Sequence, residues 1–472
     1  MSDAVEAHDR SRVGDTPSAG WAHGVFSTLD PLPAPGWWHS AVRSTVTYRR
    51  RVLSATSRLL PTRRLSLATS ALLALALTGC AGDPAGPGAS PASPSSASPS
   101  ATSSATPGTA SASPSQDAAA ACVSSTVEAM TPEQRLGQLF MVGFDTNAPL
   151  GSLDDLVRGS HVGNVIYLGG WDGADKVTRT SEHLQGLVSG KSTGDAGLLI
   201  AADQEGGEVH QLRGEGFTRP PSAKEQATMS SAALTRAATG WARELKAAGV
   251  NVNLAPVTDT VPADIGRANE PIGRYGRQYG SDPETVERAS TAFLKGMLAG
   301  DVEGTVKHFP GLGRIRNNTD FNSTGITDDV TDADDPYLEP FTAGVKAGAG
   351  LVMVGSARYS KLDPKVPAMF SAPIVTDLLR GDLGYDGVVI TDDVNAQAVR
   401  STPAPQRGVR FIEAGGDIVL TGDASVAPAM IAAVKARAAA DDEFAAKVDA
   451  SVQRVVTLKE RMGLLPCSTA KP

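Results

Sequence analysis

The chain has 472 residues, 51 acidic side chains against 43 basic ones, and a formal net charge of -8, with no basic cluster in the part that patterns as folded. That balance lacks the positive footprint nucleic-acid binding needs, and three cysteines, Cys80, Cys122 and Cys467, are too few and too widely spaced for a disulfide scaffold or a zinc site. One large domain with a neutral, polar ligand is the expectation, and no metal or organic cofactor is called for.

Residues 1–62 stand in front of an export signal, as a start codon placed too early or a cytoplasmic extension would leave them. Arg63 and Arg64 then precede a run of Leu, Ala, Ser and Thr from Leu65 to Leu77, long enough for the apolar region of a signal peptide and short for a membrane-spanning helix. The run closes Leu77-Thr78-Gly79-Cys80, which resembles the lipobox of bacterial lipoproteins, so residues 63–80 are expected to be a lipoprotein signal with Cys80 lipidated. The expected location is outside the cell, anchored by lipid to the outer face of the membrane. Residues 81–120 are almost wholly Ala, Ser, Pro, Gly and Thr, a composition that cannot bury enough apolar surface to offset the entropy of ordering, and they are expected to be a flexible linker.

Over residues 121–468 short apolar runs alternate with helical patterns, the rhythm of parallel strands joined by crossover helices. The runs are Leu139 to Val142, Val165 to Tyr167, Leu198 to Ala202, Val250 to Leu254, Gly304 to Val306, Leu351 to Val354, Val388 to Ile390 and Ile418 to Leu420. Eight of them in one domain predict an α/β fold of the (β/α)8, TIM-type barrel class. Polar residues collect just after the runs: Asp203 and Glu205, Lys307 and His308, Asp392 and Asp393, then Asp423. A barrel places its chemistry there, although Asp also caps helices that follow strands. A doubly wound dinucleotide fold is disfavoured, because Gly311-Leu312-Gly313 does not complete the glycine fingerprint and follows Pro310. His161 and His210 lack metal-ligand partners at useful spacing, which leaves them surface or core roles, and no Gly-x-Ser-x-Gly elbow surrounds Ser356 or Ser371.

Asp203-Gln204-Glu205-Gly206-Gly207 with Leu212-Arg213-Gly214, Lys307-His308-Phe309-Pro310-Gly311, and Ile390-Thr391-Asp392-Asp393 occur in order, and with them the chain resembles glycoside hydrolase family 3. Within that family it is similar to single-domain bacterial β-N-acetylglucosaminidases of cell-wall turnover. The resemblance implies hydrolysis of terminal β-linked N-acetylhexosamine from cell-wall glycans by a retaining mechanism with Asp392 as nucleophile. It further implies that Asp203, Arg277, Lys307 and His308 bind the hydroxyls of the sugar. Glu205, within a glycine-rich turn, is expected to hold backbone instead.

One motif departs from the pattern. The resembling enzymes carry an Asp-x-His pair on a mobile loop, the histidine being the acid/base, where this chain has Asn318-Thr319-Asp320. Three readings follow: Asp320 or another loop carboxylate carries the proton; the protein is a sugar-binding lipoprotein of feeble or no activity; or it is a β-glucosidase-type member whose acid/base lies elsewhere. Finally, Cys122 and Cys467 bracket the folded region of an exported, monomeric protein and are expected to form a disulfide.

Overall fold

The computed structural model describes residues 114–468, so the extension, the signal with Cys80 and most of the linker lie outside the described residues. Eight parallel strands form one sheet: β1 (Phe140–Asp145), β2 (Asn164–Leu168), β3 (Leu199–Ala202), β4 (Val252–Asn253), β5 (Glu303–Phe309), β6 (Leu351–Val354), β7 (Val388–Thr391) and β8 (Val419–Thr421). Their spatial order is β7-β6-β5-β4-β3-β2-β1-β8. A parallel bridge from Ile390 to Ile418 brings β7 against β8 and closes the ring into a barrel. All eight expected strands are present, with no end moved by more than three residues and Leu351–Val354 matched at both. Helices separate successive strands, and β2, β3 and β5 are buried along their whole length, as strands packed on both faces must be.

Helix α1 (Pro114–Ala129) starts inside the segment expected to be linker. Its alanines favour helix, Asp117 lies in the first turn, and Cys122 and Val123 give it a buried anchor. The anchor is reinforced covalently, because Cys122 is disulfide-bonded to Cys467 across a separation of 345 residues. Closing a loop of that length removes on the order of 5 kcal/mol of unfolded-state entropy in the chain-entropy model.

The C-terminal helix α2 (Asp442–Arg461) closes the pole where the strands begin. Asp417, fully buried just before β8, accepts from Arg380 Nη2 (2.6 Å), Arg454 Nη1 (2.9 Å) and the Val389 backbone N–H (2.7 Å). Arg461 makes a two-point contact with Glu303 at the start of β5. Lys459 has no carboxylate partner among the described residues. Fully buried, it donates to the Gly163 carbonyl (2.9 Å) and the Gln138 amide oxygen, both neutral, and burial depresses its pKa to about 7.

The sign of the resulting pH dependence is fixed. Between pH 7 and about 10 the unfolded chain keeps this lysine protonated while the folded chain releases the proton, so stability rises with pH by at most about 1.4 kcal/mol per unit. Denaturant unfolding of the wild type and Lys459→Met from pH 6 to 9 checks it. The wild type should gain on the variant above pH 7, and a constant difference would show the ammonium stays charged throughout.

Candidate active site

At the other pole, where the strands end, a cavity of about 330 Å³ opens. Asp203, Arg277, Lys307, His308, Asp320 and Asp392 all line it, so the fold brings together every sugar-contacting or catalytic residue expected from the sequence.

The floor begins after β3. Gln204 locks the chain into a tight loop by donating to the Leu212 carbonyl (2.8 Å) and accepting from its N–H (3.1 Å), while Gly206 (φ 108°) and Gly207 (φ 59°) make the turn between. Gly206 admits no side chain, since a Cβ would lie 2.2 Å from the Pro221 carbonyl oxygen. The loop presents Asp203 to Lys307 (2.6 Å) and Glu205 to the same ammonium (2.7 Å). Glu205 also takes both Nε and Nη2 of Arg277 (2.9 and 2.7 Å), whose Nη1 donates to the Pro271 carbonyl.

This corrects the expectation for Glu205. Its side chain holds two cations in place, and only its carbonyl oxygen serves backbone packing, by accepting from Gln226. Burial would raise its carboxyl, but Arg277 and Lys307 outweigh that and hold it at about 2. Burial likewise opposes the Lys307 charge, and Asp203 and Glu205 overcome it, so the ammonium is held above its ordinary pKa and is charged at any working pH. Arg277 therefore spends three of its donor groups on protein, and its first duty is to complete this chain of charges.

His308 is set by a residue that no sequence signal marked. Asp259, fully buried after β4, accepts from His308 Nδ1 (2.7 Å), from the His308 backbone N–H and from the Leu312 backbone N–H (2.6 Å). Nε2 is the ring nitrogen left for a ligand. Asp259 follows a two-residue strand and carries no motif of its own, so only the fold reveals its role. The adjoining Gly313 is a packing glycine, because a Cβ there would meet the Thr260 carbonyl oxygen at 1.7 Å.

Asp392 stands at the tip of β7. Its N–H donates to the Val354 carbonyl (3.0 Å) at the end of β6, and one carboxylate oxygen accepts from the Asp393 N–H (2.9 Å). Asp393 accepts from the backbone of Asn395 (2.9 Å) and Gly422 (3.2 Å), which fastens the loops after β7 and β8 together. Burial, with Asp392 adding to it, raises the Asp393 carboxyl to about 6 against the pull of those two amides.

The loop after β5 forms the opposite wall. Asn318 accepts from the Asp320 N–H (2.9 Å) in an Asx turn, so the side chain occupying the place of the family's anionic partner is spent on local backbone. The Gln397 and Ala398 N–H groups donate to the carbonyls of Asp320 and Thr319 (3.0 Å each), docking this loop on the turn that follows Asp392. Phe321, 43% exposed, lines the cavity beside Asp320. His210, assigned a surface or core role from sequence, is instead part of the cavity wall with Glu208, Gln211 and Arg213, because the hairpin after β3 folds over the barrel mouth.

Known proteins resemble the chain in sequence and fold. The profile described as glycosyl hydrolase family 3 N terminal domain matches residues 131–458. A beta-hexosaminidase of Stenotrophomonas maltophilia (strain R551-3) is 34% identical over 247 residues, which are 51% of this chain and 71% of that protein. Among solved structures, a β-N-acetylhexosaminidase from Beutenbergia cavernae is 48% identical with a TM-score of 0.68, over 70% of this chain and 98% of the other. A family 3 β-N-acetylglucosaminidase from Paenibacillus sp. is 30% identical with a TM-score of 0.63, over 71% of this chain and 63% of the other.

Proposed function

The chain belongs to glycoside hydrolase family 3, and from that premise we propose that it is a β-N-acetylhexosaminidase that removes terminal β-linked N-acetylglucosamine by a retaining, two-step displacement. The observation that carries the reading is one cavity lined by the polar groups Asp203, Lys307 and His308 together with Asp392. Sugar binding needs convergent, preoriented donors and acceptors, and the buried Lys307–Glu205–Arg277 chain fixes them before a ligand arrives.

In the proposed first step Asp392 attacks the anomeric carbon as the glycosidic C–O bond breaks and the leaving oxygen receives a proton. In the second, water attacks the glycosyl-enzyme ester, gives up a proton to the same acid/base, and frees Asp392. Asp320 is the proposed acid/base, since it lines the cavity on the loop docked against the nucleophile's own turn. Asp393 is the second reading for that proton, favoured by its carboxyl raised to about 6, a value suited to a group that is protonated in mild acid. The signal and lipobox ending at Cys80 belong to the same proposal, with the enzyme tethered outside the cell where wall glycans lie.

The test is a panel of chromogenic β-glycosides, with the product anomer followed by NMR. The N-acetylglucosaminide should be cleaved and the β-anomer should appear first. Release of the α-anomer, or no cleavage of any sugar across a broad pH range, would refute the proposal and, in the latter case, favour a binding protein.

A further inference from the structure

The loop bearing Asp320 is held from two sides. On the inner side the Gln397 and Ala398 amides grip its carbonyls. On the outer side stands Glu270, in the connection between β4 and β5. Its Oε2 accepts from the Asn318 N–H (3.2 Å), its Oε1 from Arg274 (3.1 Å), and its own N–H donates to the Arg316 carbonyl (3.0 Å). Glu270 thus grips the loop at Arg316 and Asn318, just ahead of Asp320.

The residue after it is Pro271, whose carbonyl takes Nη1 of Arg277. A continuous path therefore runs from Lys307 through Glu205 and Arg277 to the Glu270–Pro271 segment and on to the acid/base loop. Glu270 lies outside the cavity, and its side chain is 36% exposed, so burial does not explain it. A carboxylate that pairs with Arg274 needs only one oxygen for that task. The other is aimed at the loop.

We propose that Glu270 is a positioning residue, which holds the loop so that the Asp320 carboxyl meets the leaving-group oxygen. The inference rests on Asp320 as acid/base. Misplacing this proton carrier by about 1 Å raises the barriers of both steps that move the proton, and kcat/KM reports the first of them alone. The expected signature is therefore selective for the leaving group.

The experiment uses the full-length protein and two substrates, chitobiose with a poor leaving group and a nitrophenyl N-acetylglucosaminide with an activated one. Glu270→Ala should lower kcat/KM on chitobiose by about 10-fold or more and on the aryl glycoside by less than about 2-fold. Hydrogen exchange of the Asn318 to Phe321 amides should quicken. Glu270→Gln, whose amide oxygen can still accept from Asn318, should restore most of the chitobiose rate. An equal fall on both substrates, or a Gln variant no better than Ala, would overturn the proposal. Asp320→Ala is run in parallel. If it shows the leaving-group signature and Glu270→Ala does not, only the Glu270 inference fails; if it shows none, the acid/base reading fails and takes this inference with it.

Discussion

Replacing Asp392 with Asn is expected to lower kcat by at least about 10⁴-fold while the protein folds and binds sugar much as before. The amide keeps the size of the carboxylate and retains an oxygen to accept the Asp393 N–H, and the backbone bond to Val354 is untouched. What is lost is the anion that forms the glycosyl ester. In the proposed site binding draws on Asp203, Lys307 and His308, which sit on or just after other strands with their own partners. Steady-state rates together with titration of a non-hydrolysed sugar analogue separate the two. Activity within about 100-fold of wild type would place the nucleophile elsewhere, with Asp393 the first alternative.

Much of this was legible in the amino-acid order, for a physical reason. Barrel strands are apolar on both faces, so runs such as Leu351–Val354 stand out, and the polar residue ending each run falls at the catalytic pole. Asp203, Lys307, His308 and Asp392 were found that way. Asp259 and Glu270 were not, because each lies in irregular backbone and acts on a residue far along the chain: Asp259 on His308, Glu270 on Asn318. Glu205 was misread for a related reason. A glycine-rich turn looks like a backbone device, and the cation it faces, Arg277, arrives from 72 residues away. β4 is short, two residues where five were expected, yet the chain stays beside β5 beyond it, with Val257 bridged to Lys307.

Asp320→Ala is expected to lower kcat/KM by about 10² to 10⁴-fold for poor leaving groups and far less for activated aryl glycosides, whose kcat falls instead because the second step lacks its base. Without the acid, an alkoxide must depart unaided, whereas a nitrophenolate hardly needs the proton. Added azide should then restore turnover of the aryl substrate as the glycosyl azide, since a strong nucleophile needs no general base. Asp393→Asn serves as the control. If Asp393 carries the proton, that variant shows the leaving-group signature, and the basic limb of the wild-type pH profile, set by a group near 6, disappears with it. Should Asp320→Ala slow both substrate classes equally and resist azide, the loop carboxylate is a fastening for its turn.

The join between Cys122 and Cys467 sets the direction in which the enzyme faces. Leu464, close to that join, lies against Gly197 ahead of β3, which puts the C-terminal end of the described chain at the pole opposite the cavity, and the disulfide pins α1 to it. A load attached at either end of the described residues, whether a leash, a tag or a solid support, joins the barrel at the pole behind the cavity. The mouth is left clear at the far pole.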